Sequence, residues 1–185
     1  MSKTNGLIAG GVVLLLGGCA GGAAVRDVPV RIGPPYQVRG VTYVPAADPS
    51  FDMLGYASWY GSESGNRTAN GERFRARWIT AAHPTLPLPT YAEVTSLDSG
   101  RRIVVRINDR GPFAGGARII DLSKGAAEAL GFRERGSTAV RVRRIDPPEA
   151  DRQRLRKGKA ARPLPPVSAR VLQNLRSQLS AARTP

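Results

Sequence analysis

Between residues 54 and 146, short apolar runs of the β type alternate with glycine, proline, asparagine and aspartate. Runs of about four to eight residues rich in β-branched and aromatic side chains, bounded by such turn residues, are typical of strands. Arg102–Asn108 is too continuously apolar for a strand with one solvated face, so we expect it at the centre of a sheet. The pattern predicts six strands, at Leu54–Tyr60, Trp78–Ala82, Tyr91–Ser96, Arg102–Asn108, Arg118–Leu122 and Thr138–Ile145.

One short helix interrupts these strands. Ser123 is placed to cap its N-terminus, good helix formers follow over residues 126–130, and Gly131 stands where a helix ends in the left-handed conformation. Six short strands and one short helix over residues 54–146 predict a mainly β fold, in the form of a small closed barrel.

Proline, glycine and charge dominate both flanks of the predicted barrel. Residues 19–53 contain Gly-Gly and Pro-Pro pairs and few apolar runs, so we expect a flexible tether with one or two short ordered pieces, long enough to lift a domain off a membrane. Residues 147–185 alternate prolines with basic runs, which predicts a mostly disordered tail. Four apolar residues of this tail could still line one face of a short helix: Val171, Leu172, Leu175 and Leu179.

The first 18 residues have the order of a signal peptide. A basic residue at position 3 and a short apolar core at 11–16 are followed by small residues and then Cys19. The apolar run is shorter than the roughly 20 residues that a membrane-spanning helix needs. The Leu-Gly-Gly-Cys sequence ending at Cys19 resembles a bacterial lipobox, which implies cleavage after residue 18 and acylation of Cys19. An ordinary signal peptide with an accidental cysteine and a buried amphipathic N-terminal segment are the alternatives.

Acylation of Cys19 predicts a lipid-anchored protein of the cell envelope. The Ala20 that follows resembles outer-membrane sorting, so we expect the periplasmic face of that membrane. Export argues against a nucleic-acid partner for the chain, whose net charge is +14 and whose basic residues are concentrated beyond residue 133. Anionic lipid or the wall polymer fits the basic tail better, with a merely solvated basic face as the alternative.

Two segments of the predicted barrel carry chemically active residues in an ordered arrangement. The first leads from Gly55-Tyr-Ala-Ser-Trp-Tyr-Gly61 through Thr-Ala-Asn-Gly-Glu72 to Thr-Ala-Ala-His83, and the second contains Arg-Ile-Asn-Asp109-Arg-Gly-Pro and later Arg-Ile-Ile-Asp-Leu-Ser. From about Pro35 to Val142 the chain closely resembles the rare lipoprotein A (RlpA) family. The resemblance implies a six-stranded double-psi β-barrel and a lytic transglycosylase that acts on peptidoglycan glycan strands, with a preference for peptide-stripped glycan.

Such an enzyme cleaves the β-1,4 bond between N-acetylmuramic acid and N-acetylglucosamine and leaves a 1,6-anhydro end. Breaking a glycosidic bond needs a carboxylic acid that protonates the leaving oxygen. Asp109 ends a strand at a rigid turn and is the first choice for that acid, while capping of the turn is its structural alternative. Glu72 matches a second family carboxylate and could orient the sugar, tune Asp109 or be the acid itself.

The resemblance also places His83 among the catalytic residues, although a lone histidine is more often structural. Trp59 or Tyr60 could stack on a sugar ring, with burial in the core as the alternative. Asn108 and Arg110 could bind substrate hydroxyl or carboxylate groups. A single histidine and a single cysteine predict no metal site. We expect no cofactor and a monomeric protein.

Three departures from the family keep a second hypothesis open. The loop between Gly61 and Thr68 is shorter than usual, and Arg75 stands where the family has a carboxylate three residues after Glu72. We also expect no peptidoglycan-binding SPOR domain after residue 145. A glycan-binding envelope lipoprotein without turnover, comparable to expansins, is therefore the alternative to the enzyme, and a purely structural lipoprotein is a third.

Overall fold

The computed structural model describes residues 24–61, 65–113 and 116–182. Its secondary structure comprises eight strands and three α-helices within those ranges. The elements are β1 (Tyr36–Val38), β2 (Val41–Tyr43), β3 (Asp52–Tyr60), β4 (Thr80–Ala82), β5 (Thr90–Ser96), β6 (Arg102–Asp109), β7 (Arg118–Ser123), α1 (Lys124–Leu130), β8 (Ser137–Arg144), α2 (Glu149–Arg156) and α3 (Ala169–Ala181), with a 3₁₀ turn at Arg133–Arg135.

Six of the strands close into a barrel in the order β3-β7-β4-β6-β5-β8, and β1 and β2 form a separate hairpin. The pairs β3–β7 and β4–β6 are parallel, and the other pairs of the barrel are antiparallel. The predicted strands agree with the observed ones to within about two residues at each end, and the mainly β barrel is confirmed. The barrel core consists of small and branched side chains with no exposed surface, among them Ala57, Ala92, Val94, Val105, Ile107, Ile120, Leu122, Val140 and Val142.

Helix α1 forms as its end signals predict. The Ser123 side chain accepts a hydrogen bond from the Ala126 backbone N–H, and Gly131 adopts a left-handed conformation with φ of 86°. Gly125 is required for packing, because a Cβ at this position would lie 2.3 Å from the backbone oxygen of Arg77.

The C-terminal segment differs from the mostly disordered tail that its composition predicts. Of the four residues of the predicted helical face, Leu172, Leu175 and Leu179 are buried in α3, whereas Val171 is exposed. Leu175 and Leu179 pack with Leu97, which follows β5. Helix α2 was not predicted, and its Leu155 is 1% exposed within the main core. A few well-spaced leucines therefore order a segment whose overall composition is polar.

The N-terminal segment from residue 24 onward is bound to the barrel at several points. Tyr36 donates a hydrogen bond to the Pro84 carbonyl at 2.7 Å and stacks on Tyr43, while both rings contact Phe113. Arg31 and Leu88 exchange backbone hydrogen bonds. None of the helices within the described ranges is both long and apolar enough to cross a bilayer.

Candidate active site

A register shift between β4 and β6 brings Asp109 to the site. Thr80 pairs with Arg106, but Ala82 pairs with Asp109, so that Asn108 is the extra residue of a bulge. Strict alternation would put Arg106 and Asp109 on opposite faces of the strand, whereas the bulge puts them on the same face. The Asp109 carboxylate therefore stands at the end of β6, on the strand face that also carries the buried Arg106 side chain three residues earlier.

The Asp109 carboxylate is held through one of its two oxygens. Oδ1 accepts hydrogen bonds from the backbone N–H groups of Ala69 and Arg110, each at 2.8 Å. Oδ2 accepts no hydrogen bond from the described residues. Burial raises the pKa of Asp109 above its ordinary value, against the opposing effect of the two N–H groups and of the Arg110 charge. A fixed carboxyl group with an open oxygen and a raised pKa has the properties of a general acid.

The surroundings of Glu72 lower the pKa of its carboxyl group, whereas those of Asp109 raise it. Its two oxygens accept hydrogen bonds from Arg106 Nη1 and Nη2, each at 2.7 Å, and from the amides of Asn108 and Asn70, each at 2.8 Å. Burial alone would raise the pKa of Glu72, but these hydrogen bonds and the Arg106 charge outweigh it and hold the pKa below the ordinary value. Glu72 is therefore ionised near neutral pH and is a poor proton donor.

Arg106 connects Glu72 to segments that lie outside the barrel. Its guanidinium is 1% exposed, and its Nε donates to Asp27 at 2.9 Å while Nη2 also donates to the Arg26 carbonyl. Asp27 in turn accepts hydrogen bonds from Tyr91 Oη at 2.8 Å and from Arg156 of α2 at 2.7 Å. The N-terminal segment and α2 thus support the cation that holds Glu72.

The loop that carries Glu72 is ordered by its own short-range hydrogen bonds. The Thr68 N–H donates to the Glu72 carbonyl at 2.9 Å, and the Thr68 hydroxyl donates to Asn70 Oδ1 at 2.7 Å. Gly71 has φ of 86°, a conformation that favours glycine. Because the same loop supplies the Ala69 N–H to Asp109, it fixes both carboxylates relative to each other.

His83 was predicted as a catalytic residue, and the structure gives its side chain a structural contact instead. It is 3% exposed, its ring packs edge-on against Phe51, and its Nδ1 accepts hydrogen bonds from the backbone of Thr85 and Leu86. Burial, and secondarily the Arg110 charge, lowers the pKa of His83 to about 3, so the imidazole is neutral. Its backbone N–H donates to the Asp109 carbonyl at 3.0 Å, so His83 helps to fix the backbone of Asp109.

Only one of the two predicted aromatic contacts lies at the site. Trp59 donates its indole N–H to the Arg133 carbonyl at 3.0 Å and packs against the core. Tyr60 stacks on Phe74, and burial together with the charge of Asp109 raises the pKa of its phenol. The Tyr60 hydroxyl is buried, as is the hydroxyl of Thr80, which interacts with it and slightly opposes the rise in its pKa.

Asn108 and Arg110 were predicted to bind substrate, and the structure shows them bound within the protein. Asn108 is 3% exposed, and its amide holds Glu72. Arg110 donates to the carbonyls of His83, Leu86 and Ile32, and so fastens the N-terminal segment beside the cleft.

Sequence reasoning missed several residues that complete this site. Asp121 of β7 pairs with Ala82, the strand neighbour of Asp109, and its carboxylate accepts a hydrogen bond from Ser58 at 2.6 Å. The charge of Asp121 also contributes to the raised pKa of Tyr60, so both carboxylates lie near that phenol. Asp121 is the aspartate of the Arg-Ile-Ile-Asp-Leu-Ser motif, so the sequence could have indicated it. No local sequence pattern indicates Asp27 as a partner of Arg106.

The departures from the family have different outcomes in the structure. The Arg75 guanidinium lies 4.4 Å from the centre of the Trp78 ring, and none of its described contacts is with Asp109 or Glu72. Part of the shortened loop, at 62–64, and Cys19 lie outside the described residues. Among the described side chains, no cluster of three or more histidine, cysteine or carboxylate groups is arranged to hold a metal ion.

Comparison with known proteins identifies the barrel. Residues 52–142 match the double-psi β-barrel family described as lytic transglycolase. Two relatives carry the name endolytic peptidoglycan transglycosylase RlpA. The one from Pseudomonas aeruginosa UCBPP-PA14 is 46% identical over 81% of this chain and 42% of its own length, and the one from Rickettsia felis is 45% identical over 60% and 50%. The chain belongs to the RlpA family.

This RlpA-family chain spans about two fifths to one half of the length of those relatives. Two solved structures are similar at lower identity. The Streptomyces papain inhibitor is 23% identical, with a TM-score of 0.46 over 55% of this chain and 100% of that one. An expansin from Clavibacter michiganensis is 20% identical, with a TM-score of 0.41 over 53% and 52% of the two chains.

Proposed function

We propose that this protein is a peptidoglycan lytic transglycosylase in which Asp109 is both the acid and the base. The observation that carries the proposal is that the pKa of Asp109 is raised while that of Glu72 is lowered. The loop at 67–74 contains Glu72 and contacts Asp109 through the Ala69 N–H. Asp109 has an open oxygen and a pKa that burial raises, whereas Glu72 is held by Arg106, Asn108 and Asn70. When the environments of two carboxyl groups in one site separate their pKa values, the group with the higher pKa can act as the acid and the other stays ionised.

In the first step, the Asp109 carboxyl group donates its proton to the glycosidic oxygen between N-acetylmuramic acid and N-acetylglucosamine. The bond from the muramic acid C1 to that oxygen breaks, and its electron pair leaves with the N-acetylglucosamine 4-hydroxyl group. The muramic acid C1 then carries oxocarbenium character. The open Oδ2 is the atom from which this proton can leave, because Oδ1 is occupied by two backbone N–H groups.

In the second step, the C6 hydroxyl group of the same muramic acid attacks C1 and returns its proton to the Asp109 carboxylate. The new C1–O6 bond closes the 1,6-anhydro ring, and the acid is regenerated without a water molecule. Glu72 holds the loop at 67–74 in place and contributes negative charge beside the developing cation.

We also propose a lipid-anchored location for the chain. The lipobox-like sequence before Cys19 supports acylation of that residue, and Ala20 supports the periplasmic face of the outer membrane. Peptidoglycan glycan strands would then lie on the same side of the membrane as the cleft.

The test uses soluble protein that begins at Ala20, incubated with purified sacculi and with amidase-treated, peptide-free glycan. Mass spectrometry of the products distinguishes three outcomes. Ends carrying 1,6-anhydro-N-acetylmuramic acid support the transglycosylase. Reducing ends would instead show a hydrolase, and retention on glycan with no cleavage would show a binding protein.

A further inference from the structure

The N-terminal segment enters the described structure beside the C-terminal end of α2. The Val25 N–H donates to the Arg156 carbonyl at 3.0 Å, and Asp27 forms ion pairs with Arg156 and Arg106 at 2.7 and 2.9 Å. From Val25 onward this segment is therefore fastened to the domain. It differs in this respect from the long flexible tether that its composition predicts.

This attachment restricts the position of the domain relative to the proposed anchor. Cys19 precedes Val25 by six residues, and six fully extended residues span about 20 Å at most. An acylated Cys19 would thus hold the edge of the domain formed by Val25 and the end of α2 within about 20 Å of the lipid head groups.

The same edge carries positive charge that the protein does not neutralise. Arg154, Lys157 and Lys159 are exposed, and no carboxylate of the described residues lies within ion-pair distance of them. The acidic residues of α2 are occupied elsewhere, because Glu149 pairs with Arg156 and Asp151 pairs with Arg162.

Exposed aliphatic side chains accompany these cations. Val28, which follows Asp27 directly, is 74% exposed, and Val30, two residues further on, is 56% exposed. Val30 lines a cavity of about 270 Å³ together with Asp27 and Arg152, which places Val30 on the α2 side of the molecule. Exposed apolar residues interleaved with basic ones are typical of surfaces that lie on anionic membranes.

We propose that this anchor-side edge, formed by Val28, Val30, Arg154, Lys157 and Lys159, binds an anionic phospholipid surface. One acyl chain or one basic patch alone gives weak, reversible membrane binding, and the combination of two signals gives stable attachment. The edge supplies the second signal beside the lipid on Cys19, and it holds the domain against the membrane. The proposal concerns membrane binding and does not depend on the proposed catalytic activity.

The experiment measures co-sedimentation of the non-acylated protein that begins at Ala20, which retains every described residue. Vesicles of phosphatidylcholine are compared with vesicles in which part of that lipid is replaced by phosphatidylglycerol. We expect binding only to the anionic vesicles, with affinity that falls as salt is added. Each basic residue near such a surface contributes roughly a fivefold change in affinity, so the triple variant R154Q/K157Q/K159Q should bind about a hundredfold more weakly.

The control variant R133Q/R135Q/R170Q removes the same number of charges from other elements, and it should bind nearly as well as the parent protein. An equal loss in both variants would overturn the proposal, because binding would then follow net charge alone. Equal binding to neutral and anionic vesicles, or to neither, would also overturn it. Loss of retention on sacculi by the R154Q/K157Q/K159Q variant, with vesicle binding intact, would identify the wall polymer as the partner instead.

Discussion

Arg106 binds Glu72 through two parallel hydrogen bonds of 2.7 Å, and the guanidinium that makes them is 1% exposed. Paired geometry of this kind gives arginine–carboxylate contacts their strength and orientation. The cation is shared with Asp27, so that the acidic loop of the site and the N-terminal segment depend on the same buried charge.

Glu72→Gln should destabilise the protein and reduce turnover. The variant leaves Arg106 with only one carboxylate partner. Removing one partner of a buried ion pair costs about 3–5 kcal/mol of stability. Because Asp27 remains and Glu72 is partly exposed, we expect the free energy of unfolding to fall by about 2 kcal/mol. Urea denaturation measures this change. Glu128→Gln is the control, since the exposed Glu128–Arg133 pair should contribute less than about 1 kcal/mol. Equal losses in the two variants would contradict the assigned role.

Asp27→Asn tests whether a residue outside the barrel positions the catalytic loop. It weakens the hydrogen bonds to Arg106 and Arg156, and so should lower kcat more than it raises KM. Asp48→Asn changes a carboxylate of the same segment that bonds only Ser50 among the described residues, and it should leave both constants unchanged. Partial rescue by Asp27→Glu would support a positional effect of the charge, and wild-type kcat in Asp27→Asn would exclude it.

The buried His83 predicts a dependence of stability on pH. Its pKa of about 3 in the folded protein lies below the ordinary 6.5, because burial disfavours the charged ring. The unfolded chain therefore binds a proton first, and stability that is complete above pH 6.5 is lost as the pH falls towards 3. The loss is about 1.4 kcal/mol for each pH unit over this range.

His83→Asn keeps an acceptor for the Thr85 and Leu86 N–H groups but cannot take up the proton. Between pH 7 and pH 4.5, its free energy of unfolding should fall by about 2.5 kcal/mol less than that of the wild type. Urea denaturation at the two pH values gives this difference directly. Parallel pH profiles for the two proteins would show that His83 is protonated in the folded state.

Tyr60→Phe and Trp59→Phe should separate function from stability. The Tyr60 hydroxyl is buried beside that of Thr80 and close to Asp109, so its removal should change the free energy of unfolding by no more than about 1 kcal/mol and should lower turnover. Trp59→Phe loses the hydrogen bond to the Arg133 carbonyl and should cost about 1–3 kcal/mol while turnover per folded molecule stays unchanged. The reverse pattern would place Trp59 in the cleft.

The sequence predicts the barrel well because its signals are local. Alternation, turn residues and the Ser123 and Gly131 caps locate the strands and α1 directly. The resemblance to known relatives likewise pointed to Asp109 and Glu72. The bulge at Asn108 was not predictable, because it depends on the pairing of β6 with β4.

The remaining differences arise from contacts between residues distant in the chain. Asp27 and Arg106 are 79 residues apart, and no local pattern indicates that they meet. Arg110 has a charge suited to a ligand, but three backbone carbonyls take up its N–H groups in the folded protein. Helices α2 and α3 form where a few buried leucines outweigh a polar composition, an effect that average composition conceals.

The most direct test of the proposed chemistry compares Asp109→Asn with Asp121→Asn on peptide-free glycan. Asparagine at position 109 can still accept the Ala69 and Arg110 N–H groups, so this variant should fold normally. We predict that release of 1,6-anhydro ends falls by about 10²- to 10⁴-fold in Asp109→Asn and by far less in Asp121→Asn. Wild-type release by Asp109→Asn, or loss of release only in Asp121→Asn, would contradict the assignment of Asp109 as the acid.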